Sequence, residues 1–136
     1  KVYRVDDIDQ THLPAFHQME CLCIDEDINI PDMKQTIHNM LKMFFVTDEI
    51  PIRFRSSYFP FTTPSMEVDM KYNNKWLEIM GCGMVHRKVL QNVGIDEEYQ
   101  GFAFGLGVER LAMIKNNISD IRSFIENDIR WTKHYG

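Results

Sequence analysis

Hydrophobic and polar residues alternate with different periods along the chain, and one segment has the period of a helix. Asn29 and Ile30 precede Pro31, a residue favoured in the first helical turn because its missing N–H would be unpaired there anyway. The apolar residues that follow recur at helical spacing: Met33, Ile37, Met40, Leu41, Phe44 and Phe45. The pattern predicts an amphipathic helix that lies on a sheet.

Period-two alternation predicts strands in the middle of the chain. Met66, Val68 and Met70 alternate with charged residues, and Asn73-Asn74 then predicts a hairpin turn. Further strands are indicated by short apolar runs at Ile52–Ser56, Lys75–Met80 and Gly101–Leu106.

The two ends of the chain complete the predicted architecture. We expect antiparallel strands at Lys1–Val5 and Phe16–Ile24, and helices at Met84–Val93 and Val108–Ile114. A last helix is predicted to be capped by Ser119, to have Asp120 at its positive end, and to turn three apolar residues inward: Ile121, Phe124 and Ile125. The fold class is therefore α+β, with an antiparallel sheet flanked by helices, and residues 1–136 show no internal boundary.

Composition narrows the possible functions. The chain has 136 residues, 44% of them hydrophobic and 26% charged, which is typical of one globular domain. A net charge of −5 argues against electrostatic capture of nucleic acid by this chain alone. Three cysteines do not form a disulfide framework and suit a reducing compartment. No apolar run reaches the roughly 20 residues of a membrane helix.

A glycine-punctuated strand runs into a helix at Gly101–Arg110. Its glycines would let the backbone approach a ligand, and Arg110, one turn into the helix, could bind polyphosphate oxygens with its planar fork. The same glycines could instead serve close packing of strand and helix, with Arg110 in a surface ion pair. The spacing alone leaves both interpretations open.

The first two predicted strands carry a second set of candidates. Phe16, Gln18 and Glu20 share one strand face by period two, and Arg4 lies near the start of the preceding strand. An arginine for phosphate, an aromatic ring for stacking and a Gln/Glu pair for an ammonium group would form a nucleotide and amino-acid site. An ordinary solvated sheet face is the alternative.

Aromatic and acidic residues in the middle of the chain form a third set. Phe59 and Phe61 flank Pro60 and could either wall a hydrophobic pocket or plug the core. Glu78 interrupts an apolar run, so it either has a partner or metal or points outward. Cys21 and Cys23 lack the two-residue gap of structural zinc sites.

Four ordered segments together resemble one family, the α subunits of phenylalanine–tRNA ligases. Lys1-Val-Tyr-Arg4 through Phe16-His-Gln-Met-Glu20 resembles motif 2 of that family, and Gly101–Arg110 resembles motif 3. Tyr58–Ser65 and Trp76–His86 are similar to its middle segments. The resemblance covers nearly the whole chain in the right order and implies a class II synthetase fold.

The resemblance also implies roles for residues of this sequence. Arg4 and Arg110 would be the catalytic pair that grips the phosphates. The ATP site would contain Arg4, Asp6, His12, Phe16, Glu78, Gly105 and Arg110, with Glu78 helping to place Mg²⁺. Phenylalanine would be bound by Gln18, Glu20, Phe59, Phe61 and Ala103.

The resemblance further implies a cytoplasmic, ATP- and Mg²⁺-dependent enzyme that works with a β subunit as an α2β2 assembly, charges tRNA(Phe) with phenylalanine and has no membrane association. The chain opens inside motif 2, so we expect the isolated piece to be inactive. Cys21 and Thr63 stand where the family usually has glycine and glutamate. A class II ligase for another amino acid and a non-catalytic paralogue acting as a binding module remain alternatives.

Overall fold

A computed structural model describes all 136 residues, which divide into two compact units. Unit 1 comprises residues 1–19 and 107–136, and unit 2 comprises residues 20–106. The strands are β1 (Val2–Tyr3), β2 (Ala15–Phe16), β3 (Gln18–Glu26), β4 (Ile52–Phe59), β5 (Thr62–Tyr72), β6 (Lys75–Val85) and β7 (Tyr99–Gly107). The helices are α1 (Ile30–Phe45), α2 (Arg87–Asn92), α3 (Val108–Asn116) and α4 (Ile129–Tyr135), with a 3₁₀ helix at Ile121–Phe124.

Unit 2 is built on a five-stranded sheet in the order β3-β7-β6-β5-β4. The β4–β5, β5–β6 and β6–β7 pairs are antiparallel. Asn73 and Asn74 both have positive φ, 47° and 62°, as a tight hairpin turn requires. The predicted α+β fold with an antiparallel sheet is confirmed.

Helix α1 supplies the apolar layer against this sheet. Asn29 caps it in a capping box with Asp32, and Pro31 lies in its first turn. Met33, Ile37 and Leu41 are fully buried, and the helix contacts β6. The predicted helix and its inward stripe are confirmed.

Unit 1 consists of short helices and strands around a small core. Strand β1 pairs antiparallel with β2, so that Val2 lies opposite Phe16. The buried core is formed by Leu13, Met113, Ile118 and Ile121, with Phe124 and Trp131 packed against it. Short elements from both ends of the chain therefore share one apolar cluster.

The predicted continuous strand at Phe16–Ile24 is wrong at His17, which separates β2 from β3. The His17 carbonyl accepts a hydrogen bond from the Val108 N–H at 2.9 Å. Its own N–H donates to the Glu109 carboxylate, also at 2.9 Å. Both backbone groups of His17 are thus bonded to the start of α3, and the sheet ladder is interrupted there.

Two helix predictions are also corrected. The helix expected over Met84–Val93 begins only at Arg87, because Met84 and Val85 still pair within the sheet. Asp120, not Ser119, is the cap: it has extended backbone and its side chain accepts the N–H of Arg122, at the start of a 3₁₀ helix. Ile125 is 54% exposed and does not turn inward. None of the helices combines the length and apolar character that crossing a bilayer requires.

Candidate active site

The twelve residues predicted to form the site fall into two groups, one in each unit. Unit 1 carries the group Arg4, Asp6, His12, Phe16, Gln18 and Arg110. Unit 2 carries the group Glu20, Phe59, Phe61, Glu78, Ala103 and Gly105. Most of the predicted nucleotide ligands are thus in unit 1, and most of the predicted phenylalanine ligands are in unit 2.

Four small residues form part of one face of the unit 2 sheet. Gly81 of β6 lies opposite Gly105 of β7, and Gly83 lies opposite Ala103. Because these positions alternate with the buried Cys82 and Phe104, the four project to the other side of the sheet. We call Gly81, Gly83, Ala103 and Gly105 the small-residue floor.

An aromatic ring and a carboxylate lie directly above this floor. A Cβ at Gly81 would be only 2.8 Å from Cζ of Phe59, and a Cβ at Gly105 would be 2.5 Å from Oε1 of Glu20. Since Gly81 and Gly105 are register partners, the ring and the carboxylate occupy neighbouring places on the same face. Phe61 stacks on Phe59, with ring centroids 6.0 Å apart and planes at 13°.

Two hydroxyls hold the backbone that carries Phe59. The Phe59 N–H donates to Oγ of Ser65 at 3.1 Å, and the hydroxyls of Ser65 and Thr62 are 2.7 Å apart. Both residues are buried. The sequence argument assigned no role to Ser65 or Thr62, because hydroxyl residues at a strand end carry no distinctive signal.

A network of opposite charges extends along the same strands. The buried carboxylate of Asp69 accepts hydrogen bonds from Nε of Arg53 at 2.8 Å and from Arg55. Arg55 also donates to Glu67 at 2.8 Å. The hydrogen bond from Arg55 is the largest cause that lowers the pKa of Asp69 below its usual value.

Glu78 lies opposite Asp69 in the β5–β6 register and is exposed. The chain has no group of three or more His, Cys, Asp and Glu side chains arranged to hold a metal ion. Mg²⁺ commonly uses only one or two carboxylates, with waters and substrate phosphates as its other ligands. An exposed carboxylate at position 78 fits that kind of shared coordination.

In unit 1, Arg4 joins two other predicted site residues. Its guanidinium carbon lies 5.2 Å from the centroid of the Phe16 ring, and its NH2 donates to Oε1 of Gln18 at 3.4 Å. Arg4 follows β1, which ends at Tyr3 rather than at the expected Val5 and pairs with β2 so that Val2 lies opposite Phe16. Charge, ring and amide thus form one cluster.

The loop before β2 links His12 with Arg110. Asp9 accepts hydrogen bonds from the backbone N–H groups of Thr11 and His12 at 2.7 and 2.8 Å. The bond from Thr11 is the largest cause that lowers the pKa of Asp9. The Thr11 carbonyl accepts from Nε and NH2 of Arg110 at 3.3 and 3.4 Å. Asp6 lies exposed in the same loop.

Glu109 is a unit 1 residue for which the sequence predicted no role. Its side chain is only 12% exposed, and its Oε1 lies 2.7 Å from Nδ1 of His17. The one available signal was its position, immediately before Arg110 in the glycine-rich segment. That position did not reveal which residue it would hold.

The chain is similar to known proteins over nearly its whole length. A family model described as "tRNA synthetases class II core domain (F)" matches residues 1–135. The phenylalanine–tRNA ligase alpha subunit of Wolbachia sp. subsp. Drosophila simulans (strain wRi) is 57% identical over 138 residues, covering 100% of this chain and 40% of the relative. The alpha subunit of the same name from Rickettsia felis is 59% identical over 138 residues, covering 99% and 39%. The resemblance expected from the motifs is confirmed.

The chain spans about 40% of the length of these curated relatives. Among solved structures, pyrrolysyl-tRNA synthetase from Desulfitobacterium hafniense superposes with a TM-score of 0.60 at 18% identity, covering 93% of this chain and 43% of that one. At that identity the likeness concerns the fold alone. It agrees with the sheet and helices described above.

Proposed function

We propose that this chain, which belongs to the family of class II tRNA synthetase core domains, forms part of the catalytic domain of a phenylalanine–tRNA ligase α subunit. The whole protein activates phenylalanine with ATP to phenylalanyl-adenylate and transfers it to tRNA(Phe). Support comes from the relatives named above, which are 57–59% identical across nearly all of this chain.

The observation that carries the substrate assignment is the pair of groups above the small-residue floor. An aromatic substrate needs apolar walls, which Phe59 and Phe61 provide. Its ammonium group needs a carboxylate, which Glu20 provides next to the bare backbone of Gly105. Ala103 leaves room for the ring, and Gln18 is assigned to the ammonium group with Glu20.

The resemblance assigns the nucleotide to Arg4, Asp6, His12, Phe16, Glu78, Gly105 and Arg110. Arg4 binds the α-phosphate, and Phe16 and Arg110 enclose the adenine, with Arg110 also near the terminal phosphates. Asp6 and His12 line the ATP side. The bonds from Arg110 to the Thr11 carbonyl support this assignment, because they keep its guanidinium beside the loop that carries His12.

The reaction needs no protein nucleophile. The carboxylate of phenylalanine attacks the α-phosphorus, a new oxygen–phosphorus bond forms, and the bond to pyrophosphate breaks. Arg4 and Arg110 stabilise the charge that develops on the phosphate oxygens. Binding of both substrates side by side brings the phenylalanine carboxylate close to the α-phosphorus. Glu78 would hold Mg²⁺ together with the phosphates, and the bound ion would supply further charge neutralisation.

The same proposal includes the other components of the enzyme. A β subunit completes an α2β2 assembly, which the relatives' designation as alpha subunits supports. We place the reaction in the cytoplasm, and tRNA(Phe) is the acceptor of the activated amino acid.

The test is exchange of labelled pyrophosphate into ATP by the full-length chain with its β partner. We expect exchange with phenylalanine and about 100-fold less with tyrosine, since apolar pockets reject an added hydroxyl only modestly. Arg110→Ala should lower the rate by about 100- to 1,000-fold. Gly105→Ala should raise the KM for phenylalanine by about 10- to 100-fold, because the new methyl group displaces Glu20.

Gly94→Asn is the matched glycine control. Gly94 has a φ of +75° with nothing within 4 Å of a built Cβ, and asparagine tolerates that backbone. Gly94→Asn should leave the KM for phenylalanine and the KM for ATP unchanged. Absence of exchange from a folded complex with every amino acid would refute the enzyme assignment and favour a non-catalytic binding module.

A further inference from the structure

Glu109 binds one residue, His17, through both its backbone and its side chain. Its two carboxylate oxygens each accept from the His17 backbone N–H at 2.9 Å. Oε1 also lies 2.7 Å from the His17 ring nitrogen Nδ1. The Glu109 side chain is 12% exposed, whereas that of His17 is 61% exposed. The carboxylate is therefore the less exposed partner of the pair.

His17 is held from its other side by the same helix. The Val108 N–H, one of the first donors of α3 that have no partner within the helix, donates to the His17 carbonyl at 2.9 Å. The first turn of α3 thus binds both backbone groups of a residue 91 positions earlier in the chain than Val108. This arrangement replaces the sheet hydrogen bonds that a continuous strand would have made.

The neighbours of these two residues are the groups to which the nucleotide is assigned. Phe16 precedes His17, and Arg110 follows Glu109. A bond between His17 and Glu109 therefore ties the backbone that carries the Phe16 ring to the helical turn that carries the Arg110 guanidinium.

We infer that Glu109 is a positioning residue for ATP: its carboxylate, by binding the N–H and Nδ1 of His17, sets the spacing between Phe16 and Arg110. This inference rests on the proposed nucleotide site. Glu109 touches neither adenine nor phosphate in this scheme and acts through the two residues beside the bond. A buried carboxylate suits this role because it accepts from a backbone and a side-chain donor at once.

The inference is tested by a double-mutant cycle on ATP affinity, measured by equilibrium dialysis with the full-length protein and its partner subunit. Glu109→Ala should weaken ATP binding by about 10- to 100-fold, the usual scale for misplacing a binding group by about 1 Å. Glu109→Gln keeps an oxygen for the His17 N–H and should weaken binding by less than about fivefold.

The same substitutions are then made in a Phe16→Leu background. If Glu109 acts by placing the Phe16 ring, Glu109→Ala should add less than about threefold there, because the ring is already absent. An equal factor in both backgrounds, or no effect of Glu109→Ala in the wild-type background, would overturn the inference. If Glu109→Ala does not fold, Glu109→Asp, whose shorter side chain draws the carboxylate away from His17, takes its place in the cycle, and equal factors again overturn the inference.

Glu97→Gln, at an exposed position, is the matched charge control and should leave ATP affinity unchanged.

Pyrophosphate exchange tests the proposed reaction, and equilibrium dialysis tests the positioning role of Glu109, so the two hypotheses can fail separately. A wild-type complex that binds ATP but exchanges no pyrophosphate refutes the proposed reaction, and the cycle still decides the role of Glu109. A wild-type complex that binds no ATP overturns both.

Discussion

Different kinds of interaction stabilise the interior of each of the two units of this chain. Unit 2 relies on long strands paired through their own backbones and on a helix whose inward residues are fully buried. Unit 1 has strands of only two residues. Its loops and helix starts are fixed by side chains that bind backbone groups, as Asp9, Glu109 and Asp120 do.

This difference matters for the assigned chemistry. On a regular sheet, the strand register determines which groups lie next to each other, as it does for Gly81 and Gly105. Groups on irregular backbone keep their places only while particular side-chain bonds persist, as with Arg110 and the Thr11 carbonyl. We therefore expect unit 2 to be most sensitive to lost packing and unit 1 to lost hydrogen bonds.

The largest effect is expected from Ile37→Ala in α1. Ile37 is fully buried, and its truncation removes apolar contacts and leaves a cavity. The free energy of unfolding should fall by about 3–4 kcal/mol, measured by urea denaturation with the fluorescence of Trp76, which lies in unit 2.

Met43→Ala provides the control on the same helix. Met43 is 80% exposed, so the free energy of unfolding should change by less than about 0.5 kcal/mol. Comparable losses from the two substitutions would contradict the view that unit 2 depends on its buried layer.

A smaller loss, about 2 kcal/mol, is expected from Asp69→Asn. The substitution leaves Arg53 and Arg55 facing a neutral amide. Solvent limits the resulting loss of unfolding free energy, because both arginine side chains are more than 40% exposed. The free energy of unfolding at neutral pH reports it. Asp48→Asn, at an exposed position, should have no measurable effect.

The Asp69 contribution should also depend on pH. Its folded-state pKa lies below the ordinary value of 3.8, so the unfolded chain takes up the proton first as the pH falls. The stability difference between wild type and Asp69→Asn should be constant above about pH 5 and should shrink as the pH falls through 3.8 and below. A difference that grew on acidification would refute the assignment.

Regular elements were predictable where side-chain periodicity and packing agree. The Met33–Ile37–Leu41 spacing predicted α1, and the alternation around Val68 predicted β5, because burial on one face imposes these periods. The Asn73-Asn74 turn was predictable from its need for positive φ. In each case the physical cause is local in sequence.

The errors arose where distant residues decide local structure. His17 reads as a strand residue, and only Val108 and Glu109 divert its backbone from the sheet. The grouping of Phe59 and Glu20 above the floor was implied by a resemblance rather than by spacing. Ser65 was missed for a different reason: its bond to the Phe59 N–H depends on how β4 meets β5, and a hydroxyl residue there carries no distinctive sequence signal.

The smallest of these effects is expected from Asp120→Ala in unit 1. Asp120 accepts the N–H of Arg122 at 2.9 Å and also binds its guanidinium. Loss of such a cap lowers the free energy of unfolding by about 1 kcal/mol. The fluorescence of Trp131 should report it, because Trp131 packs edge-on against Phe124 of the same 3₁₀ helix, with ring centroids 5.2 Å apart.

Asp120→Asn separates the two bonds that Asp120 makes. Asparagine keeps an oxygen for the Arg122 N–H but removes the charge that pairs with the guanidinium, and exposed ion pairs contribute little. The loss should therefore be less than about 0.5 kcal/mol. If Asp120→Asn costs as much as Asp120→Ala, the ion pair and not the backbone cap fixes this turn, and side chain-to-backbone bonding would no longer distinguish this part of unit 1 from unit 2.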